Sequence, residues 1–166
     1  EDHPNAALNW KLGDVVTTTI RTARGESIVV THDTNLPRPY SLGFRVQGTR
    51  GITAFDAHTK RIFIEGVSPE HRREEMNDYL EQYDHPLWQE YGEYAEGSGH
   101  GGMDFFVDRA FVRSVRGEQS VPLDVYDAAA WSAITPLSEA SIAKGGEPQL
   151  FPVFNRHWQE KREIRL

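Results

Sequence analysis

The chain has 166 residues, no cysteine, and 25 acidic against 18 basic side chains, for a formal charge of -7. That sign opposes phosphate-backbone binding and no basic stripe is interleaved with aromatics, so nucleic acid is not an expected partner. Absent thiols exclude disulfides, a thiol nucleophile and cysteine metal sites, and no apolar run approaches the ~20 residues that span a bilayer, so no membrane partner is expected.

The length fits one domain over residues 1–166, able to bury roughly 68–70% of its unfolded surface around one core. The start, Glu1-Asp2-His3-Pro4-Asn5, is no signal peptide. Without an initiating Met, the chain is expected to be a piece of something longer.

The first half reads as β-structure. Asp14 to Arg21 is rich in Val, Thr and Ile, Arg24-Gly25 offers a turn, and Ser27 to Thr31 a return strand. After the Pro37-Arg38-Pro39 interruption, Leu42 to Gln47, Ile52 to Phe55 and Arg61 to Glu65 predict three more strands, separated by turn residues. Five strands with tight turns predict a largely antiparallel open sheet. The second half changes period. Ser68-Pro69-Glu70 offers a cap and an N1 proline, and Met76, Tyr79, Leu80 and Tyr83 fall at helical spacing, predicting a helix over 69–83. Leu87, Trp88, Tyr91 and Tyr94 also space like a helix. Met103, Phe106, Val107 and Ala110 predict another, ending near Arg116 before a Gly117 cap. Asp124 caps a predicted helix from Val125 to about Lys144, apolar enough for burial, with a kink expected at Pro136. Strands followed by helices predict an α+β fold with helices packed on one face of the sheet. The charged tail 159–163 is expected to be solvated.

Gly97-Ser98-Gly99-His100-Gly101-Gly102 matches G-x-G-x-x-G in form. The dinucleotide fingerprint, however, needs a strand feeding the glycine turn, and the preceding residues have helical spacing, so this loop is not expected to bind a nucleotide. Its glycines fit a close backbone passage, with His100 either lining a site or satisfying loop carbonyls. In Pro37-Arg38-Pro39-Tyr40 two fixed φ angles preorganise the side chains between them. Tyr40 suits a sugar face or hydroxyl and Arg38 a carboxylate or carbonyl; equally, the segment suits a rigid turn with a core tyrosine. His32 and Asp33 adjoin on a strand, point to opposite faces and make no catalytic pair. The seven histidines show no ligand spacing, so no metal is expected. Asp124 and Asp127 read as helix capping, Asp104 and Asp108 face the same choice, and no G-x-S-x-G elbow occurs.

Three segments, 32–41 (HDTNLPRPYS), 99–104 (GHGGMD) and 123–132 (LDVYDAAAWS), resemble the carboxy-terminal domain of glycoside hydrolase family 109, the NAD-dependent α-N-acetylgalactosaminidases. The resemblance runs from about Gly13 to Trp158. It implies the second half of a two-domain protein of the glucose-fructose oxidoreductase and inositol dehydrogenase superfamily, whose amino-terminal Rossmann domain, absent from this chain, binds NAD. It implies oxidation of the sugar at C3, elimination of the C1 substituent, addition of water and re-reduction. Tyr40 is thereby a substrate contact, with Arg38, Asn35 and His100 as further contacts. No catalytic or cofactor-binding residue is expected within the chain, and the isolated piece is expected to be inactive. The resemblance also implies an N-acetylgalactosamine-type glycan as substrate, homo-oligomerisation through the sheet, and a periplasmic or secreted address. Val153 departs from the family pattern, which has aspartate there, and the family's Tyr-Pro-Thr-His motif has no counterpart. Two alternatives stand beside it: the corresponding domain of a sugar oxidoreductase of the same superfamily, or a noncatalytic sugar-binding or dimerising module.

Overall fold

In the computed structural model, which describes residues 2–9, 13–56 and 58–154, the β-branched run near the start forms β1 (Val15–Arg21). It pairs antiparallel with β2 (Ser27–Asp33), from Val15 opposite Asp33 to Arg21 opposite Ser27. The hairpin turn closes with the Thr22 N–H donating to the Glu26 carbonyl at 2.9 Å. Gly25, at φ +100°, supplies the left-handed step that an L side chain resists.

The next strands are β3 (Phe44–Gly48), β4 (Gly51–Asp56), β5 (Thr59–Ile64) and a two-residue β6 (Glu74–Glu75), hydrogen-bonded antiparallel in that order. Gly51 opens β4 because a Cβ there would stand 2.5 Å from the Phe63 carbonyl oxygen. The expected five strands are therefore present, but in two sheets rather than one. The prolines at 37 and 39 have no N–H to donate, so the ladder cannot run through them, and the chain leaves β2 before β3 begins.

The helix expected over 69–83 is shorter and later. Ser68 does not cap a helix; its Oγ accepts the Ile64 N–H at 2.9 Å and braces a turn. Glu74 and Glu75 are taken up by β6, where Glu75 meets Arg61 at 2.8 Å. What remains of the helical spacing forms α1 (Asn77–Tyr83). A second helix, α2 (Pro86–Ala95), starts with Pro86 in its first turn and His85 Nδ1 accepting the Leu87 N–H. Next come α3 (Met103–Val115), ended by Gly117 at φ +73°, then α4 (Val125–Ser132) and α5 (Ile134–Ala143). The single helix expected from Val125 breaks at Ala133 instead of bending at Pro136. A proline ring clashes with the carbonyl four residues back and leaves it without its N–H, and for Pro136 that residue is Ser132, the last of α4.

The chain divides into two compact units, Glu1–Met76 and Asn77–Leu166; among the described residues the first holds the strands and the second the helices. The class is α+β with antiparallel sheets. In the second unit the packing centre is aromatic: Trp88 of α2 and Phe106 of α3 have ring centroids 4.5 Å apart, and Phe105 adds an edge contact to Phe106. Among the described residues only Ala95, Gly102 and Ala133 are buried, so the burial expected of α4 and α5 is confined to the residue that joins them. Trp158, where the family resemblance ends, and the tail 159–163 lie outside the described residues.

Candidate functional site

The loop between β2 and β3 is held by its own polar groups. Asp33, the last residue of β2, accepts the Leu36 N–H through Oδ1 and pairs through Oδ2 with Arg38 Nε at 3.1 Å. Arg38 folds back further, Nη2 donating to the Asp33 carbonyl at 2.8 Å and Nη1 to the Ser41 carbonyl at 3.2 Å. Three of its five N–H groups are thus spent on the loop, which leaves two for a ligand. Ser41 Oγ donates to Asp56 Oδ1 at the end of β4 and accepts the Gly43 N–H. Asn35 Nδ2 reaches Asp14 at 3.3 Å.

Tyr40 stands at the centre of this clamp, 73% exposed, so its ring is presented to solvent and is not a core aromatic. The clamp makes that presentation inexpensive: prolines at 37 and 39 fix two backbone angles, and Arg38 ties the loop ends together, so little freedom is lost when a ligand meets the ring. The expected turn and the expected presentation turn out to be one arrangement. His32 sits opposite Val16 and Asp33 opposite Val15 in the ladder, on alternate faces as the strand period requires.

His100 belongs to the second unit. The glycine-rich segment links α2 to α3 and no strand feeds it, which removes the context a dinucleotide turn needs. Gly102, at φ +98°, is packed against the helices: a Cβ there would meet Trp88 Cη2 at 2.9 Å and the Ala95 carbonyl at 3.2 Å. His100 itself is left-handed at φ +54° and starts a 3-10 turn over His100–Gly102. Its Nδ1 lies 2.9 and 3.0 Å from the two carboxylate oxygens of Asp104.

Asp104 also borders an open cleft of about 570 Å³ with Ser98, Phe105, Asp108 and Arg109. Arg109, which lines the cleft, lies 4.1 Å from the Tyr91 ring centroid. A hydrogen bond to Glu90 pushes the Tyr91 hydroxyl above the ordinary phenol range, against the opposing pull of Arg109. The sequence left Asp104 and Asp108 between helix capping and a functional role; a further hint is the four-residue step from His100 to Asp104, which one helical turn brings together.

Asp124 and Asp127 are consumed by a reciprocal cap. Asp124 Oδ1 accepts the N–H groups of Tyr126 and Asp127 at 2.8 and 3.0 Å, and Asp127 Oδ2 accepts the Asp124 N–H at 2.9 Å. Among the described residues no three His, Asp or Glu side chains converge as metal ligands would, and no helix is long and apolar enough to cross a membrane.

Known proteins resemble this chain in sequence. The family model for "Glycosyl hydrolase 109, C-terminal domain" matches residues 1–160. A glycosyl hydrolase family 109 protein of Stenotrophomonas maltophilia (strain K279a) is 49% identical over 163 residues, which is 98% of this chain and 36% of that protein. An alpha-N-acetylgalactosaminidase of Tannerella forsythia is 49% identical over 155 residues, covering 93% of this chain and 33% of the enzyme. A family 109 protein of Parabacteroides distasonis is 47% identical over 156 residues, with shares of 94% and 33%. The chain spans about a third of the length of these relatives. Matched by that family model over nearly its whole length, the chain belongs to glycoside hydrolase family 109 and corresponds to that family's carboxy-terminal domain.

Proposed function

We propose that the chain is the substrate-binding and oligomerisation domain of an NAD-dependent glycosidase that acts on α-N-acetylgalactosaminides by oxidation, elimination, addition and reduction. The observation that carries the reading is the exposed Tyr40 on its proline-stiffened, Arg38-clamped loop, in a chain 49% identical to part of an alpha-N-acetylgalactosaminidase. An amphipathic ring held still is what a sugar needs, an apolar face for its C–H groups and a hydroxyl for one of its own. Arg38 contributes its two remaining N–H groups, and Asn35 and His100 contribute further contacts to the N-acetylgalactosamine-type glycan.

The glycine-rich loop is fed by a helix, which is not the context of a dinucleotide turn, and the space beside Gly102 is filled by Trp88 and the Ala95 carbonyl. We place the cofactor in the part of the longer protein that this chain does not include, and no metal in the reaction. The chain's own residues bind and orient the sugar, and most of the proton-transfer groups lie in that other part. The protein works in the periplasm or outside the cell.

Oligomerisation is supported by the first unit, where β2 carries Ile28, Val29 and Val30 at 47%, 63% and 37% exposure and β3 carries Phe44 and Val46 about half exposed. A second copy covering those side chains would remove apolar surface from water.

The test is an assay of the longer protein with NAD and an aryl α-N-acetylgalactosaminide. Tyr40→Phe, which removes the hydroxyl and keeps the ring, is expected to lower kcat/KM roughly 3- to 10-fold, the worth of one neutral hydrogen bond. Tyr40→Ala is expected to lower it further. Unchanged kcat/KM in Tyr40→Ala would remove the residue from the sugar site. Stoichiometric accumulation of NADH in place of released aglycone would assign the protein to sugar oxidation instead. The 166-residue chain alone, with NAD added, is expected to give no turnover.

A further inference from the structure

We propose that the outward face of α3 is a docking surface: in the longer protein it is covered by the part of the polypeptide that this chain does not include, through apolar side chains with a basic group opposite Asp108. The inference rests on the family membership and not on the sugar reading.

α3 is apolar on both sides, and only one side has a partner. Inward, Phe106 meets Trp88 of α2, Phe105 lies 6.5 Å from the Tyr91 ring, and Arg109 covers that ring. Outward, six positions of the helix are exposed, and five of them are Met103, Val107, Phe111, Val112 and Val115, from 49% to 71% exposed. Four of these, Met103, Val107, Phe111 and Val115, recur every fourth residue and so form one row along the helix. A surface helix carries polar groups on that side, whereas a helix apolar all round is a buried one. The row offers on the order of a few hundred Å² of apolar surface, which is one side's share of an interface between domains.

The charges nearby point to the occupant. At the end of the helix Arg113 and Arg116 are spent on Glu118, at 3.5 and 2.8 Å, so the sixth outward position, Asp108, is the one that brings a charge to the face. Asp108 stands one residue from Arg109, the midpoint of the row. Two copies stacked on this row about a twofold axis would therefore bring their Asp108 carboxylates together, like charges in a contact that excludes water. A different surface with a cation at that point escapes the repulsion. The chain makes up 36% and 33% of two relatives that are 49% identical to it, so about two-thirds of such a protein lies outside this chain. Being tethered, that remainder reaches the face at a high effective concentration.

The experiment is hydroxyl-radical footprinting of the isolated 166-residue chain and of the longer protein that contains it. Met103 and Phe111 are expected to react readily in the isolated chain and roughly 10-fold more slowly in the longer protein, as side chains at the packed centre of an interface do. In a second arm, Phe111→Glu is expected to leave the urea midpoint of the isolated chain in place and to lower that of the longer protein. Equal reactivity in the two proteins overturns the proposal. So does slow reaction in the isolated chain, or a midpoint of that chain lowered by the substitution, since either means that the face is covered within it. Protection in the longer protein that fades on dilution to its monomer assigns the face to a second copy and overturns the proposal as well.

Discussion

At the turn between β1 and β2, Thr22 and Glu26 hold each other: Thr22 Oγ1 donates to the Glu26 carboxylate and accepts the Glu26 N–H at 3.0 Å. The Thr22 hydrogen bond, aided by the residue's own N–H, holds the Glu26 carboxyl below its usual range. A depressed folded-state value means stabilisation that is present above the ordinary carboxylate range and lost as pH falls through the lowered value. Following the Glu26 side-chain resonance through an acid titration should therefore show a midpoint below that of a free glutamate. Thr22→Val should return it to the ordinary value; a midpoint unmoved by that substitution would show that the hydroxyl is not the cause. The same scale shows what a sequence can hide. Arg38 was legible as a ligand for carboxylates or carbonyls, and its partners are indeed of that kind, but they are Asp33 and the carbonyls of its own loop. Only the folded backbone decides whether such a group is spent at home or offered outward.

Among the elements, the turn from α2 to α3 depends on the glycine at 102. Gly102→Ala combines a left-handed backbone with a Cβ pressed on Trp88 and the Ala95 carbonyl, and should cost about 2–5 kcal/mol. Gly101→Ala meets open space at φ +69° and should cost only about 1–2 kcal/mol. Urea titrations of the two variants compare them directly, and equal losses would show that packing on Trp88 contributes nothing. Asp124→Ala removes the cap of α4 and should cost about 1 kcal/mol, read as a lower urea midpoint with part of the helical circular dichroism lost. These elements also mark the boundary of legibility. The β-branched pairs of β1 and β2, the Asp124 cap and the Gly117 stop are local signals that packing did not override. The stretch 69–76 misled because Ser68, an ordinary helix cap by type, is engaged by Ile64, and because a two-residue strand beside Arg61 owes its existence to a partner remote in sequence. The His100–Asp104 pairing was open to reading by its four-residue spacing.

For the molecule as a whole, the scarcity of buried side chains among the described residues is the feature with reach. Two-stranded sheets are marginal unless one face is covered, and β1–β2 leaves apolar side chains of β2 exposed. The heat capacity and denaturant dependence of unfolding both scale with the surface that unfolding newly wets. A chain of this length would ordinarily show a heat-capacity increment of about 2–2.5 kcal/mol/K. Calorimetry of the isolated chain should give clearly less, with a broad melt and a shallow urea slope. An ordinary increment would mean that the apolar side chains are sequestered in solution after all.

The three consecutive left-handed residues His100, Gly101 and Gly102 also set an asymmetry in how this region tolerates change. Because one turn of chain both seats α3 against Trp88 and aims an imidazole, a substitution that loosens the seat should blur the aim in proportion. Evolutionary or engineered drift in ligand preference should therefore enter through the cleft wall at Asp108 and Arg109, where side chains can vary without disturbing the hinge of backbone that carries them.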